Sequence, residues 1–160
     1  MSSSKHFHIV LVEPEIPPNT GNIARLCAAT ATSLHLVGKL GFSLDNRYLK
    51  RAGLDYWPHV DLHRWDSLEQ LRNAYPDSRW WYTSKTAAKI YTEANFTAGD
   101  FILFGKETKG LPQSLLQQHP QHCLRIPHLS TAVRSLNLST SAGIVLYEAL
   151  RQVDAWNQPE

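Results

Sequence analysis

Three short polar stretches hold the residues whose types could do chemistry: Asn19-Thr20-Gly21-Asn22-Ile23-Ala24-Arg25, Phe104-Gly105-Lys106-Glu107-Thr108-Lys109-Gly110 and Arg134-Ser135-Leu136-Asn137-Leu138-Ser139. Together they offer guanidinium, amide, hydroxyl and carboxylate groups beside glycines, a set suited to holding a phosphate through paired N–H bonds and to orienting a polar ligand. Their spacing excludes the commoner sites. Gly105 and Gly110 have the six-residue frame of a P-loop, but Leu111 and Pro112 stand where lysine and serine or threonine must follow. No Gly-x-Gly-x-x-Gly occurs, so a dinucleotide fold and the Gly-rich methyltransferase turn lack support. No Gly-x-Ser-x-Gly elbow is present, and neither Cys27 nor Cys123 has a papain-like or Cys-x-x-Cys neighbourhood, so no hydrolytic nucleophile is in view. His119, His122 and Cys123 are close in sequence without a fourth ligand at structural-zinc spacing, and His59 and His63 read as ordinary residues, so no metal is expected.

These loops need a frame, and the apolar pattern supplies one. Residues 7–12 read as a strand, followed by Glu13-Pro14-Glu15-Ile16-Pro17-Pro18 as a loop. Ile23, Leu26, Cys27 and Thr30 then share a helical face, with Asn19 or Thr20 as the expected N-cap. Residues 34–37 are a strand closed by Gly38, and residues 46–52 a short basic helix stopped at Gly53. A strand over 60–63 leads to a helix through Leu68, Leu71 and Ala74, capped by Asp66 or Ser67. Strands follow at 80–83 and 101–104, a helix at 111–119 with Pro112 in its first turn, and a strand at 123–126. A loop then runs to Asn137, and Ala142, Val145, Leu146, Ala149, Leu150 and Val153 form one continuous stripe on a last helix. Strands alternating with helices, some strands apolar on both faces, predict an α/β fold with a mainly parallel sheet and helices on both faces. Ligands of such sheets bind at loops leaving the carboxyl ends of the strands, where the three polar stretches fall.

The chain of 160 residues is expected to be a single domain, residues 1–160 with a core over about 7–153, and can bury such a core without staples. Sixteen Lys plus Arg against 14 Asp plus Glu give a net charge of +2, too small by itself to declare a nucleic-acid partner. With two cysteines, no apolar run long enough to span a bilayer and no h-region after residues 2–6, the expectation is a cytoplasmic protein without membrane association.

Asn19-x-Gly21-Asn22-x-x-Arg25, then Phe104-Gly105-x-Glu107-x-x-Gly110-Leu111, then Ile126-Pro127 followed by Ser135-Leu136-Asn137-Leu138-Ser139 resemble the three ordered motifs of the SPOUT RNA 2′-O-methyltransferases. Each motif alone is weak; the ordered set is specific and spans residues 7–153. Glu13-Pro14-Glu15-Ile16-Pro17, Arg51-Ala52-Gly53-Leu54-Asp55-Tyr56 and Tyr147-Glu148-Ala149 are most similar to the TrmL (YibK) type, which methylates the wobble nucleotide (position 34) of leucine tRNAs. The chain departs from that pattern at Ala31, where glycine is usual, and at Lys106 for proline, Lys109 for arginine and Thr86 for glycine.

The resemblance implies S-adenosylmethionine as cofactor, S-adenosylhomocysteine as product, tRNA as partner, a homodimer, and a trefoil knot built from residues 80–84, 104–110 and 126–137. By motif position it implies cofactor contacts at Gly105, Ile126 and Ser135, with Tyr82 or Thr83 at the end of the preceding strand, and a catalytic set of Arg25, Asn137, Ser135, Arg134 and Tyr147. Methyl transfer from a sulfonium to a ribose 2′-hydroxyl is an in-line displacement that needs no metal but does need an aligned oxygen and a destination for its proton. Arginine, with a pKa above about 12, suits phosphate binding and hydroxyl polarisation better than the role of base. Asn22 and Asn137 can orient the ribose or Arg25. For RNA contacts, Arg47, Lys50 and Arg51 form a compact basic group, with Lys85 and Lys89 a second after Trp80-Trp81, and aromatics at 10% offer stacking partners. Plainer roles compete: Glu107 is a proton acceptor or a carboxylate satisfying N–H groups at a helix start, Tyr147 packs at a dimer interface, Asn19 is a cap, and Gly110 permits a turn. Two alternative functions stand beside the leading one: 2′-O-methylation of another tRNA or rRNA ribose, and a non-catalytic RNA-binding protein of the same fold.

Overall fold

The computed structural model describes residues 6–53 and 56–157, so Leu54 and Asp55 of the Arg51-to-Tyr56 stretch lie outside the described residues. Among the described residues seven strands form one parallel sheet: β1 (His8–Val12), β2 (Ser33–Val37), β3 (Asp61–Trp65), β4 (Trp80–Thr83), β5 (Lys89–Ile90), β6 (Phe101–Phe104) and β7 (Cys123–Arg125). Among the described residues are five α-helices: α1 (Pro17–Ala29), α2 (Arg47–Gly53), α3 (Leu68–Ala74) and α4 (Gln113–Gln118) lie between strands, and α5 (Leu138–Gln152) follows β7. The strand order is β3-β2-β1-β6-β4-β7-β5, so β6 is inserted between β1 and β4, and β7 between β4 and β5.

The period of two along each strand divides its side chains between two cores. Ile9, Leu11, Leu34, Leu36, Ile102 and Phe104 face α1 and the α5 stripe of Ala142, Val145, Leu146, Ala149 and Leu150. Val10, Val37, Tyr82, Phe101 and Leu103 face Leu71 of α3 and Leu116 of α4. Helices therefore cover both faces, as the near-continuous apolar strands required. On the α1 side, a Cβ added to Gly21 would lie 2.5 Å from the Ala52 Cβ and 2.8 Å from the Leu49 carbonyl, so α1 and α2 approach as closely as glycine allows.

Besides shifts of one or two residues at strand ends, such as β3 at Asp61–Trp65 against the expected 60–63, two helix starts and one strand differ from expectation. Helix α1 begins at Pro17, with Ile16 as N-cap and no side-chain cap bond, so Asn19 and Thr20 lie inside the helix and neither caps it. Pro17 and Pro18 take the first two positions because proline has no N–H to leave unsatisfied there and its φ is already helical. Helix α4 starts at Gln113 with Pro112 just outside as N-cap. Strand β5 has no counterpart among the expected elements: it is two residues long, too short for periodicity to show, and exists by pairing with β7. Ser67 caps α3 as expected, accepting from the Gln70 N–H at 3.1 Å.

Ala31, the departure from glycine noted above, sits at φ +51°. It follows the Thr30 C-cap, and the Thr32 N–H donates to the Cys27 carbonyl at 2.9 Å, the 6→1 bond of a Schellman ending whose left-handed position favours glycine.

The second core also holds a polar cluster. The Trp65 indole N–H donates to His35 Nδ1 at 2.9 Å, which fixes the His35 proton on Nε2, from where it donates to His8 Nδ1 at 2.9 Å. His35 stacks on His63, and His8 on Phe101. Burial is the main cause that lowers the His35 pKa to about 3 and that of His8 to about 4.

Candidate active site

The three polar stretches converge at the carboxyl edge of the sheet through one chain of hydrogen bonds. Glu107, in the loop after β6, accepts from the Glu15 N–H at 2.8 Å, the Ile16 N–H at 3.0 Å and the Asn19 side-chain amide at 3.1 Å. Asn19 in turn accepts, through Oδ1, from the Asn137 amide at 3.1 Å. Asn137 caps α5, its Oδ1 accepting from the Ser139 N–H at 2.9 Å, the Ser139 hydroxyl at 2.6 Å and the Thr140 N–H at 3.3 Å. Glu107 is thus the carboxylate that satisfies donors where α1 opens, and the prolines that open α1 leave Asn19 free to bridge the first and third stretches.

A reciprocal contact ties the same loops: Glu15 accepts from the Thr108 N–H at 3.1 Å and hydroxyl at 2.8 Å. Those two bonds, the hydroxyl's first, hold the Glu15 carboxyl below its ordinary pKa. Neither Glu15 nor Thr108 was singled out in the sequence; the available signal was their place within the Glu-Pro-Glu run and the Gly105–Gly110 frame. That frame closes on itself, with the Gly110 N–H donating to the Lys106 carbonyl at 2.8 Å. A Cβ on Gly105 would lie 1.9 Å from the Gly110 carbonyl carbon and 2.1 Å from the Leu111 nitrogen, so the loop itself demands this glycine. Beside it opens a cavity of about 330 Å³ with Glu13, Lys106, Lys109, Leu111 and Pro112 in its wall.

The remaining expected residues are placed as follows. Thr83 donates its hydroxyl to the Leu103 carbonyl at 2.8 Å, whereas the Tyr82 ring is buried and stacked on His119, leaving only its backbone near the loops. Ile126 packs at the margin of the first core. Arg134 and Ser135 are exposed on the segment before α5. Tyr147 is half-exposed on α5 with its ring 5.6 Å from that of Trp156. Asn22 and Arg25 are exposed on α1, and the Arg25 guanidinium lies 4.8 Å from the Tyr56 ring centroid. Among the described residues Arg25 makes no hydrogen bond to the second or third stretch. Arg47, Lys50 and Arg51 are exposed on α2, Lys50 pairing with Asp45 at 3.3 Å; Lys85 is exposed after β4, and Lys89 lies in β5. Burial pushes both the Cys27 and Cys123 thiols up, which keeps them unreactive. Among the described residues no group of three His, Cys, Asp or Glu side chains could hold a metal, and no helix is long and apolar enough to cross a membrane.

The SpoU rRNA methylase family matches the chain over residues 6–147, which includes all three stretches up to Tyr147. The chain belongs to this family. The SPOUT resemblance carried by the motifs is therefore borne out, and so is the α/β fold. A tRNA (cytidine(34)-2′-O)-methyltransferase of Methylovorus glucosotrophus is 50% identical over 150 residues, covering 92% of this chain and 96% of the relative. A solved structure described as giving structural insights into the 2-OH methylation of C/U34 on tRNA superposes with a TM-score of 0.89 at 45% identity, over 96% of this chain and 99% of that one. The SpoU methyltransferase AviRb of Streptomyces viridochromogenes, solved in complex with AdoMet, shares the fold at a TM-score of 0.82 and 22% identity, over 96% of this chain and 63% of its own.

The loops of this SpoU-family chain suit a nucleoside cofactor on their own chemistry. Across residues 127–136 the hydrogen bond found among the described residues is Ala132 N–H to Ser130 Oγ, so the other peptide donors and acceptors of this segment are open to a ligand. Together with the ends of β4 and β6, they offer the close backbone approach that an adenosine and an amino-acid tail need.

Proposed function

We propose that the protein is an S-adenosylmethionine-dependent 2′-O-methyltransferase acting on the wobble nucleotide, position 34, of tRNA, with leucine tRNAs as substrates. The observation that carries this reading is the bond chain Glu107–Asn19–Asn137, which locks three loops of a SpoU-family fold into one site at the carboxyl edge of the sheet. The high identity to relatives named for that reaction supports it.

Backbone groups around Thr83, Gly105, Ile126 and Ser135, with the backbone of Tyr82, would hold the cofactor, which when bound supplies the electrophilic sulfonium methyl. Arg25 binds the phosphate beside the target ribose and polarises its 2′-hydroxyl, with Asn22 orienting the sugar. Asn137 holds the third loop in register with the first, so that Ser135 and Arg134 reach the reacting end. Glu107, engaged by three N–H donors, works as a strut between loops. Arg47, Lys50, Arg51 and Lys85 supply phosphate contacts, so tRNA binding should weaken as salt rises. Exposed Tyr147 and Trp156 offer an apolar surface to a second copy, and the working unit is a homodimer of single-domain chains in the cytoplasm. The reading includes the trefoil knot, for which the insertion of β6 and β7 between other strands is the supporting feature.

The test is incubation with labelled S-adenosylmethionine and unmodified leucine tRNA, followed by mapping of the label. Ribose label at position 34 is expected. Label elsewhere in total RNA moves the substrate, and none at all with intact RNA binding leaves a non-catalytic binder.

A further inference from the structure

We propose that Tyr56 is a positioning residue for Arg25: its ring carries the guanidinium on one face and so presents the in-plane N–H donors to an RNA phosphate. The inference rests on the role given to Arg25 in the proposed function. The Arg25 Cζ lies 4.8 Å from the centroid of the Tyr56 ring, close enough for the ring quadrupole to attract the cation. Tyr56 is held in turn by the 3₁₀ turn that it opens, its carbonyl accepting from the His59 N–H at 2.8 Å. The pair therefore ties the exposed face of α1 to the segment that feeds β3.

Arg25 combines an aromatic partner with exposure: Arg72 also lies over rings, those of Trp80 and Tyr82, but one of its amino groups is buried there, whereas Arg25 is exposed on α1. Arg79 is paired with Asp100 at 3.3 Å, Arg151 with Glu148 at 2.9 Å, Lys50 with Asp45 at 3.3 Å and Lys106 with Glu13 at 3.4 Å. Arg47 also lies over a ring, that of Tyr48, but there the tyrosine hydroxyl takes one of its donors at 3.0 Å. Among the described residues the Arg25 guanidinium has no carboxylate within ion-pair distance and no hydrogen-bond partner. A carboxylate would hold the side chain still but neutralise it and compete with phosphate for its donors. An aromatic face restrains the same side chain, keeps its charge and leaves all five donors at the edge of the plane. A cation that must wait for an external anion is best stored in this way.

The experiment compares full-length wild type with Tyr56→Phe, Tyr56→Leu, Arg25→Ala and the Tyr56→Leu/Arg25→Ala double variant in single-turnover methyl transfer to tRNA. Cofactor binding by calorimetry and thermal melting are measured on each. Tyr56→Leu should slow transfer roughly two- to fivefold, the span of cation–π strength at an exposed site, with cofactor affinity and melting unchanged, while Tyr56→Phe keeps the wild-type rate. In the Arg25→Ala background Tyr56→Leu should add nothing, because the contact is already gone. If Tyr56→Leu fails to fold, Tyr56→Gln removes the ring while keeping a polar side chain, and the same outcomes apply. Wild-type rates in the ring-free variant, losses that multiply in the double variant, or a loss that Phe does not rescue each overturn the positioning role alone. A wild-type protein that methylates no RNA overturns the proposed function, and this inference with it.

Discussion

His35 should make the fold sensitive to acid well above the pH at which carboxylates begin to protonate. Its ring is wholly buried, and both ring nitrogens are occupied, Nδ1 by the Trp65 indole N–H and Nε2 by His8. Protonation would place a second hydrogen where the indole hydrogen already sits and put a charge next to His8 and His63, with Asp61 as the favourable neighbour. The folded state therefore holds His35 neutral down to a pKa of about 3, against an ordinary value of 6.5. Because the folded pKa of this base is depressed, the unfolded chain takes up the proton first as pH falls. The stabilisation is complete above pH 6.5, is lost as pH drops below it, and stops changing near pH 3. At about 1.4 kcal/mol per pH unit for one proton, His35 alone costs about 2 kcal/mol by pH 5. His8, with a pKa lowered to about 4, acts in the same direction. Carboxylates contribute little in this window, since their unfolded pKa values lie near about 4. Urea unfolding followed by tryptophan fluorescence at several pH values between 7.5 and 5 measures the slope. His35→Gln, which can still accept from Trp65 and donate to His8, should remove about one proton's share of it. A flat wild-type profile down to pH 5, or an unchanged slope in His35→Gln, would refute the argument.

The other perturbations act at the loops. Ala31→Gly should raise stability by roughly 0.5–1 kcal/mol, because glycine occupies the left-handed position at φ +51° without the Cβ penalty, and equilibrium unfolding reads the gain directly. In Gly105→Ala the new Cβ meets backbone atoms at 1.9 and 2.1 Å, which cannot yield as a flexible side chain would, so the 106–110 loop must open. Calorimetry should show cofactor binding abolished while circular dichroism keeps the α/β signature; retained affinity would remove this loop from the site. Glu107→Gln turns one of two acceptor oxygens toward N–H donors as an NH₂ group, and should lower stability by about 1–3 kcal/mol. The methylation rate should fall without change in the shape of its pH profile, whereas loss of an acid limb would mark Glu107 as the base instead.

What the sequence made legible follows from how far each signal reaches along the chain. Strands β2, β4 and β6 are short apolar runs with turn residues at their ends, and α5 carries its own stripe, so all four could be placed from local pattern. The strand order could not, because inserting β6 and β7 between other strands is a choice among non-local pairings that the same apolar runs would allow. The site divides in the same way. Asn19, Glu107 and Asn137 each stood out within a stretch, yet Asn19 read as a cap and Glu107 as either base or strut, since their partners lie 88 and 118 residues away from Asn19. Prolines decide the matter: by taking the first turn of α1 they relieve Asn19 of capping, and the N–H groups ahead of them need Glu107. One carboxylate then both completes a helix and fixes the amide that aligns the third loop, which is why a substitution there must register in stability and rate together. A general base placed in the same loop would alter the pH profile of the rate, and could do so with little change in stability.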